Sequence, residues 1–173
     1  MIRDWCTKAS LAAIALCLAV PAARAQTNLS DGDRTFVNKA AESGYAEVAT
    51  GKAAAKSDDQ AVRDFGNQMV DEHSKMNDEL AGIAKQKGIN PPSSADLGSQ
   101  AKNALLNMLP GKTFDKQYVS SQLNDHQETL QLMQNEAQSG QDPDLKAFAQ
   151  KSAPVIQKHI DELQALQKRP ELQ

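Results

Sequence analysis

The chain has 173 residues, with 19 lysines and arginines against 22 aspartates and glutamates, and only 4% aromatic side chains. A net charge of −3 excludes the basic face that nucleic acid or an anionic membrane surface would need. With so few aromatics, Ala, Leu, Met and Val must fill any core, and Ala and Leu favour helix.

Residues 1–25 read as a secretory signal. Arg3 and Lys8 supply a positive start, Leu11 to Val20 an apolar stretch too short to span a bilayer stably, and Ala23-Arg24-Ala25 a small-x-small cleavage site. Cleavage is expected before Gln26, which places the remainder, 26–173, in the periplasm as a single domain. Both cysteines, Cys6 and Cys17, fall in the leader, so thiol catalysis and cysteine zinc sites are excluded from the exported part. Removing Arg3, Lys8 and Arg24 against Asp4 leaves that part more acidic, at a net charge of about −5. No second apolar segment is long enough to cross a membrane.

Four long helices follow. The first, about 31–56, starts at Ser30 or Asp31 with Asp33 in its first turn, and carries Phe36, Ala40, Gly44, Glu47 and Gly51 on one stripe. Its small residues predict close helix approach. The second, about 58–87, opens at Ser57 with Gln60 as a capping box, carries Val62, Phe65, Met69, His73, Met76, Leu80 and Ile83, and ends at Gly88 before Pro91-Pro92. A long connection contains a short amphipathic piece with Leu97, Ala101, Leu105 and Met108. That piece is either a crossover segment lying on the other helices or a surface for a lipid or partner helix.

The third long helix, about 113–138, is capped by Thr113 and carries Val119, Leu123, His126, Leu130, Met133 and Ala137 before Ser139-Gly140. The fourth, about 143–168, takes Asp142 as cap and Pro143 at its first position. Its stripe runs through Leu145, Phe148, Ser152, Val155, His159 and Leu166, and Pro154 is expected to kink it. Strand signals are absent. Two short-turn hairpins joined by a long connection predict an all-α fold, a ferritin-like antiparallel four-helix bundle with a crossover between the second and third long helices.

The three histidines stand near the middle of three different helices, and Glu47 lies at a similar height on the fourth. If the helical phases hold, His73, His126, His159 and Glu47 meet in one layer. Three imidazoles and a carboxylate suit one transition metal ion, Zn, Cu, Ni or Fe. The alternative is structural: core histidines satisfied by Glu47, Tyr45, Tyr118 or buried water. Met69, Met76 and Met133 are either soft ligands or core filler. Asp71 and Glu72, beside His73, either form a solvated acidic face or orient an imidazole from outside. No catalytic residue or phosphate-binding loop emerges.

The blocks Ala46-Glu47-Val48, Met69 to His73, Phe114-Asp115 with Tyr118, Asp125-His126-Gln127, and Asp142-Pro143 through Pro154 to His159 resemble the bacterial domain of unknown function 4142 family over about residues 33–168. The resemblance implies an exported ferritin-like bundle and leaves activity open. Ferritin-like di-iron enzymes carry Glu-x-x-His on two helices. Here Val70 and Ile156 stand three residues before His73 and His159, so a ferroxidase is not implied. Three functions remain: a metal-binding protein; a non-enzymatic stress or envelope protein acting through its surface on a protein or lipid partner or on a second copy of itself; and, ranked last, a metal-dependent hydrolase or oxidase, which would need an open position on the metal.

Overall fold

Ser30 begins the first helix by a reciprocal cap: its hydroxyl accepts from the Asp33 amide at 3.1 Å, and the Asp33 carboxylate accepts from the Ser30 amide. The computed structural model describes residues 29–172. The predicted leader and its cleavage site before Gln26 lie outside the described residues. Among those residues are five α-helices, one 3-10 turn (Pro170–Leu172) and no strand. The helices are α1 (Asp31–Ala54), α2 (Gln60–Gln86), α3 (Leu97–Asn107), α4 (Gly111–Ser139) and α5 (Pro143–Gln167).

Two caps differ from expectation. Asp59, not Ser57, caps α2, accepting from the Ala61 and Val62 amides at 2.9 and 3.1 Å. The Ser57 hydroxyl instead accepts from the Asp59 amide at 3.0 Å and donates to Asp115 on α4 at 2.6 Å. α4 begins two residues before Thr113, at Gly111 after Pro110, with no side-chain cap. Elsewhere the punctuation is as read. Gly88 takes the left-handed conformation (φ 72°) just past α2, and the Ile89 amide reaches back to the Ala84 carbonyl at 2.9 Å. Asp142 caps α5 and Pro143 opens it. The helix assignment runs through Pro154, which is exposed.

α1 pairs with α2, and α4 with α5; α1 also packs on α4, α2 on α5, and α3 lies against α1 and α4. The α1–α2 approach is close because glycines face each other. A Cβ on Gly66 would come within 2.6 Å of the Ala55 amide nitrogen, and one on Gly51 within 2.9 Å of the Gly66 carbonyl. Such glycines cost about 1 kcal/mol each in a helix interior relative to Ala. Burial at about 1.5–3 kcal/mol per large apolar side chain outweighs this.

The core is divided. One cluster gathers Phe36, Val37, Leu80, Met133, Leu145 and Phe148. The other gathers Val62, Phe65, Met69, Tyr118, Leu163 and Leu166. The stripes predicted for α1 and α2 point inward, whereas on α4 Val119, His126 and Met133 are buried but Leu123, Leu130 and Ala137 only half-buried, with Gln122, Thr129 and Glu136 buried in their place. On α5 the phase differs slightly: Ile156 and Ile160 are buried and Val155 is only half-buried. No helix of the described residues is long and apolar enough to cross a membrane.

Candidate metal centre

His73, His126 and His159 stand on α2, α4 and α5, and each belongs to neither apolar cluster. All three are buried, at 2, 0 and 0% exposure. Their ring centroids form a nearly equilateral triangle with sides of 5.4, 5.4 and 5.3 Å. Each offers one ring nitrogen, and the three nitrogens lie within 4.8 Å of one another. An ion with bonds of about 2.0–2.1 Å in tetrahedral geometry needs them about 3.4 Å apart. The required movement is of the order of an ångström, within reach of small side-chain rotations.

Hydrogen bonds fix which nitrogens are free. Nδ1 of His126 lies 2.9 Å from the Gln122 carbonyl, which can only accept, so Nδ1 carries the proton and Nε2 keeps its lone pair. Nε2 of His159 lies 2.5 Å from Oε2 of Glu72, so that nitrogen donates and Nδ1 keeps the lone pair. His126 Nε2, His159 Nδ1 and His73 Nε2 have no partner. Outer nitrogens tied to a carbonyl and a carboxylate, with inner nitrogens unpartnered, is the arrangement of metal-ligating imidazoles. Neither tyrosine supplies the bond expected of it. Tyr118 Oη is itself unpartnered, and its phenol is pushed well above its usual range by burial and by Glu47.

Electrostatics keeps the trio neutral. Burial, reinforced by His126 and His159, holds His73 well below the usual histidine range. Burial and His159 bring His126 down to about 3, against a raising contribution from the Gln122 carbonyl. Burial also lowers His159, opposed by Glu72. Three neutral imidazoles are the ligand form that a metal requires.

Glu47 is buried on α1 but stands outside the triangle. Its Oε1 lies 3.8 Å from His126 Nδ1, the nitrogen that faces away from the unpartnered one. Burial, and then Asp125, raise its carboxyl to about 8, opposed by Lys102 and Gln122. With His126 near 3 and Glu47 near 8, both groups are neutral at pH 7 and the contact is not an ion pair. The structure thus brings the three histidines together and sets Glu47 behind one of them.

Unsatisfied atoms concentrate here. Of the eight buried side-chain polar atoms without a hydrogen-bond partner among the described residues, six belong to Glu47, His73, Tyr118, Gln122, His126 and His159. Of the other two, Asp142 Oδ2 faces Lys87 Nζ at 2.6 Å. Each unsatisfied group costs about 1–3 kcal/mol, so one region of the core carries nearly all of that penalty. Sequence reasoning named Tyr118 but missed Gln122, which lies one turn before His126, a polar continuation of the apolar stripe that could have marked it.

The fold and site define a class: all-helical proteins with a buried trio of histidines contributed by three helices. The chain belongs to the family described as "Domain of unknown function (DUF4142)", whose profile matches residues 18–166. No curated protein sequence matches it. Among solved structures it is similar to one described as "Crystal structure of DUF305 fragment from Deinococcus radiodurans", with a TM-score of 0.72 at 13% identity, covering 81% of this chain and 97% of that chain. At that identity the likeness speaks to fold alone.

Proposed function

We propose that this protein is an exported, periplasmic helical bundle of ferritin-like, single-crossover topology that binds one transition metal ion through His73, His126 and His159. The observation that supports the ion is that one ring nitrogen from each histidine lies within 4.8 Å of the others, while each ring keeps a buried nitrogen without a partner and two of the rings are held by Gln122 and Glu72. Zn, Cu, Ni and Fe all accept imidazole. Glu47 acts beside the ligand set, through its place next to His126. The topology is supported by the α1–α2 and α4–α5 pairings with α3 in the connection between them. Export is supported by the leader sequence, and an intact mass beginning at Gln26 in the periplasmic fraction tests it.

Chelator-stripped protein titrated with each of the four metals is the test of the site. An ion at a hundred times its dissociation constant adds about 2.7 kcal/mol of stability. A melting temperature unmoved by all four metals rejects the metal reading and leaves the histidines as structural groups.

A second reading, an envelope protein acting through its surface, draws on α3. Leu97, Leu105 and Met108 on that helix are exposed at 83, 67 and 78%. Partner or lipid capture that persists in Leu105→Asp would remove α3 from consideration.

A further inference from the structure

We infer that the ion reaches the histidines through the seam between α1 and α4, where an acidic cleft, a hydrogen-bonded gate and a small inner void lie in series. The inference rests on the metal-binding reading and adds a route to it. The cleft has a volume of about 410 Å³ and is walled by α1, α3 and α4. Besides Glu47, which is neutral at pH 7, four carboxylates face two lysines, Lys39 and Lys102, around it. Lys102 on α3 is held by both oxygens of Asp125 on α4 at 2.7 Å, so α3 is pinned as the outer wall. A concave surface with excess negative charge concentrates cations at its floor. Glu47 is 2% exposed and lines that cleft; its Oε1 lies 3.8 Å from His126 Nδ1, and its Oε2 has no partner.

Inside the cleft lies a void of about 10 Å³ bordered by His73, roughly the room of one water molecule. Cleft and void share two lining residues, Ser43 on α1 and Thr129 on α4. Their hydroxyls are hydrogen-bonded to each other at 2.9 Å across the seam. This pair is the partition: outside it is the acidic cleft, inside it is the space against a ligand imidazole. Two hydroxyls can each turn to a passing cation as acceptors, which an apolar partition could not do. An ion therefore meets oxygen ligands along the route before it meets nitrogen.

The test is the rate of Co(II) uptake by the metal-stripped full chain, followed by the visible absorption of cobalt bound to imidazole. Ser43→Ala opens the partition and is expected to speed uptake several-fold. Thr129→Leu fills the void and is expected to slow it about tenfold, with the final absorbance of the wild type. The pair Glu42→Gln and Glu128→Gln, on the cleft wall, is expected to slow uptake about tenfold and to flatten its dependence on salt. If Thr129→Leu fails to fold by circular dichroism, the other two variants decide. Wild-type uptake with Ser43→Ala and the Glu42→Gln/Glu128→Gln pair both within twofold of the wild-type rate overturns the route while leaving the site. Absence of any Co(II) uptake by the wild type overturns the site and the route with it.

Discussion

Glu72 on α2 accepts a hydrogen bond at 2.5 Å from His159 on α5, not from its sequence neighbour His73. The carboxylate is partly exposed and the ring fully buried, so a solvated charge fixes the tautomer of a core histidine. Glu72→Gln should weaken metal affinity by about 10–100-fold, as loss of an outer hydrogen bond to a ligating imidazole does elsewhere. Competition titration against a chromophoric chelator measures this. The metal-free protein should keep its circular dichroism spectrum, because no apolar contact is lost. Unchanged affinity would show that His159 is not a ligand.

Helix period, caps and the small-residue stripe made the helices and the height of each histidine legible in the sequence. Their phase was legible too, because His73 and His126 each repeat the spacing of neighbours that must be buried. The partners were not. Asp71 and Glu72 look equivalent along the chain, yet Asp71 pairs with Lys75 in solvent while Glu72 reaches α5. A one-residue step is 100° of helix rotation, and only the position of α5 decides which carboxylate meets His159. Glu47 shows the same gap. Its height was right, but height along an axis says nothing about whether a side chain enters the triangle or stands behind His126. Ser57 satisfied a local capping pattern and lost to Asp59, because its hydroxyl bonds to Asp115 fifty-eight residues away.

Stability of the metal-free protein should peak near pH 6.5. Folded His73, His126 and His159 titrate below the unfolded value of 6.5. As the pH falls below 6.5 the unfolded chain binds protons that the folded chain refuses, so stability is lost on the acid side. For a fully buried histidine the slope approaches about 1.4 kcal/mol per pH unit, continuing for His126 to about 3. Glu47 and Glu136 act in the opposite direction. Their folded values are raised from 4.5 to about 8 and about 7, so the stability they add at low pH is lost as the pH rises through those values. As the pH first falls below 6.5, three histidines oppose two carboxyls and the acid loss dominates. Urea melts at pH 5, 6.5 and 8 measure both limbs, and Glu47→Gln should flatten the alkaline one. A profile level from pH 5 to 8 would mean that water reaches the cluster freely.

Replacing one histidine separates function from stability. His73 Nε2 is buried without a partner, so His73→Leu removes a polar group whose desolvation is uncompensated. Metal-free His73→Leu should gain about 1 kcal/mol in urea denaturation, lose part of the acid limb, and no longer be stabilised by metal. A loss of several kcal/mol in the metal-free protein would indicate that the imidazole is a satisfied structural element.

The glycines of α2 test the helix packing independently of the site. Gly66 lies against the backbone of α1, where an added Cβ would come within 2.6 Å of the Ala55 nitrogen and 2.8 Å of the Ala54 carbonyl carbon. Backbone cannot rotate aside, so α1 and α2 must separate, at a cost of about 1–3 kcal/mol. Gly82 is on the same helix with nothing within 4 Å of the corresponding position. Gly82→Ala should therefore gain about 0.5–1 kcal/mol from helix propensity alone. Thermal melts of the two variants side by side should move in opposite directions. Equal shifts would mean that α1 and α2 do not approach through Gly66, and the α1–α2 spacing that sets the height of His73 against the other helices would need to be redrawn.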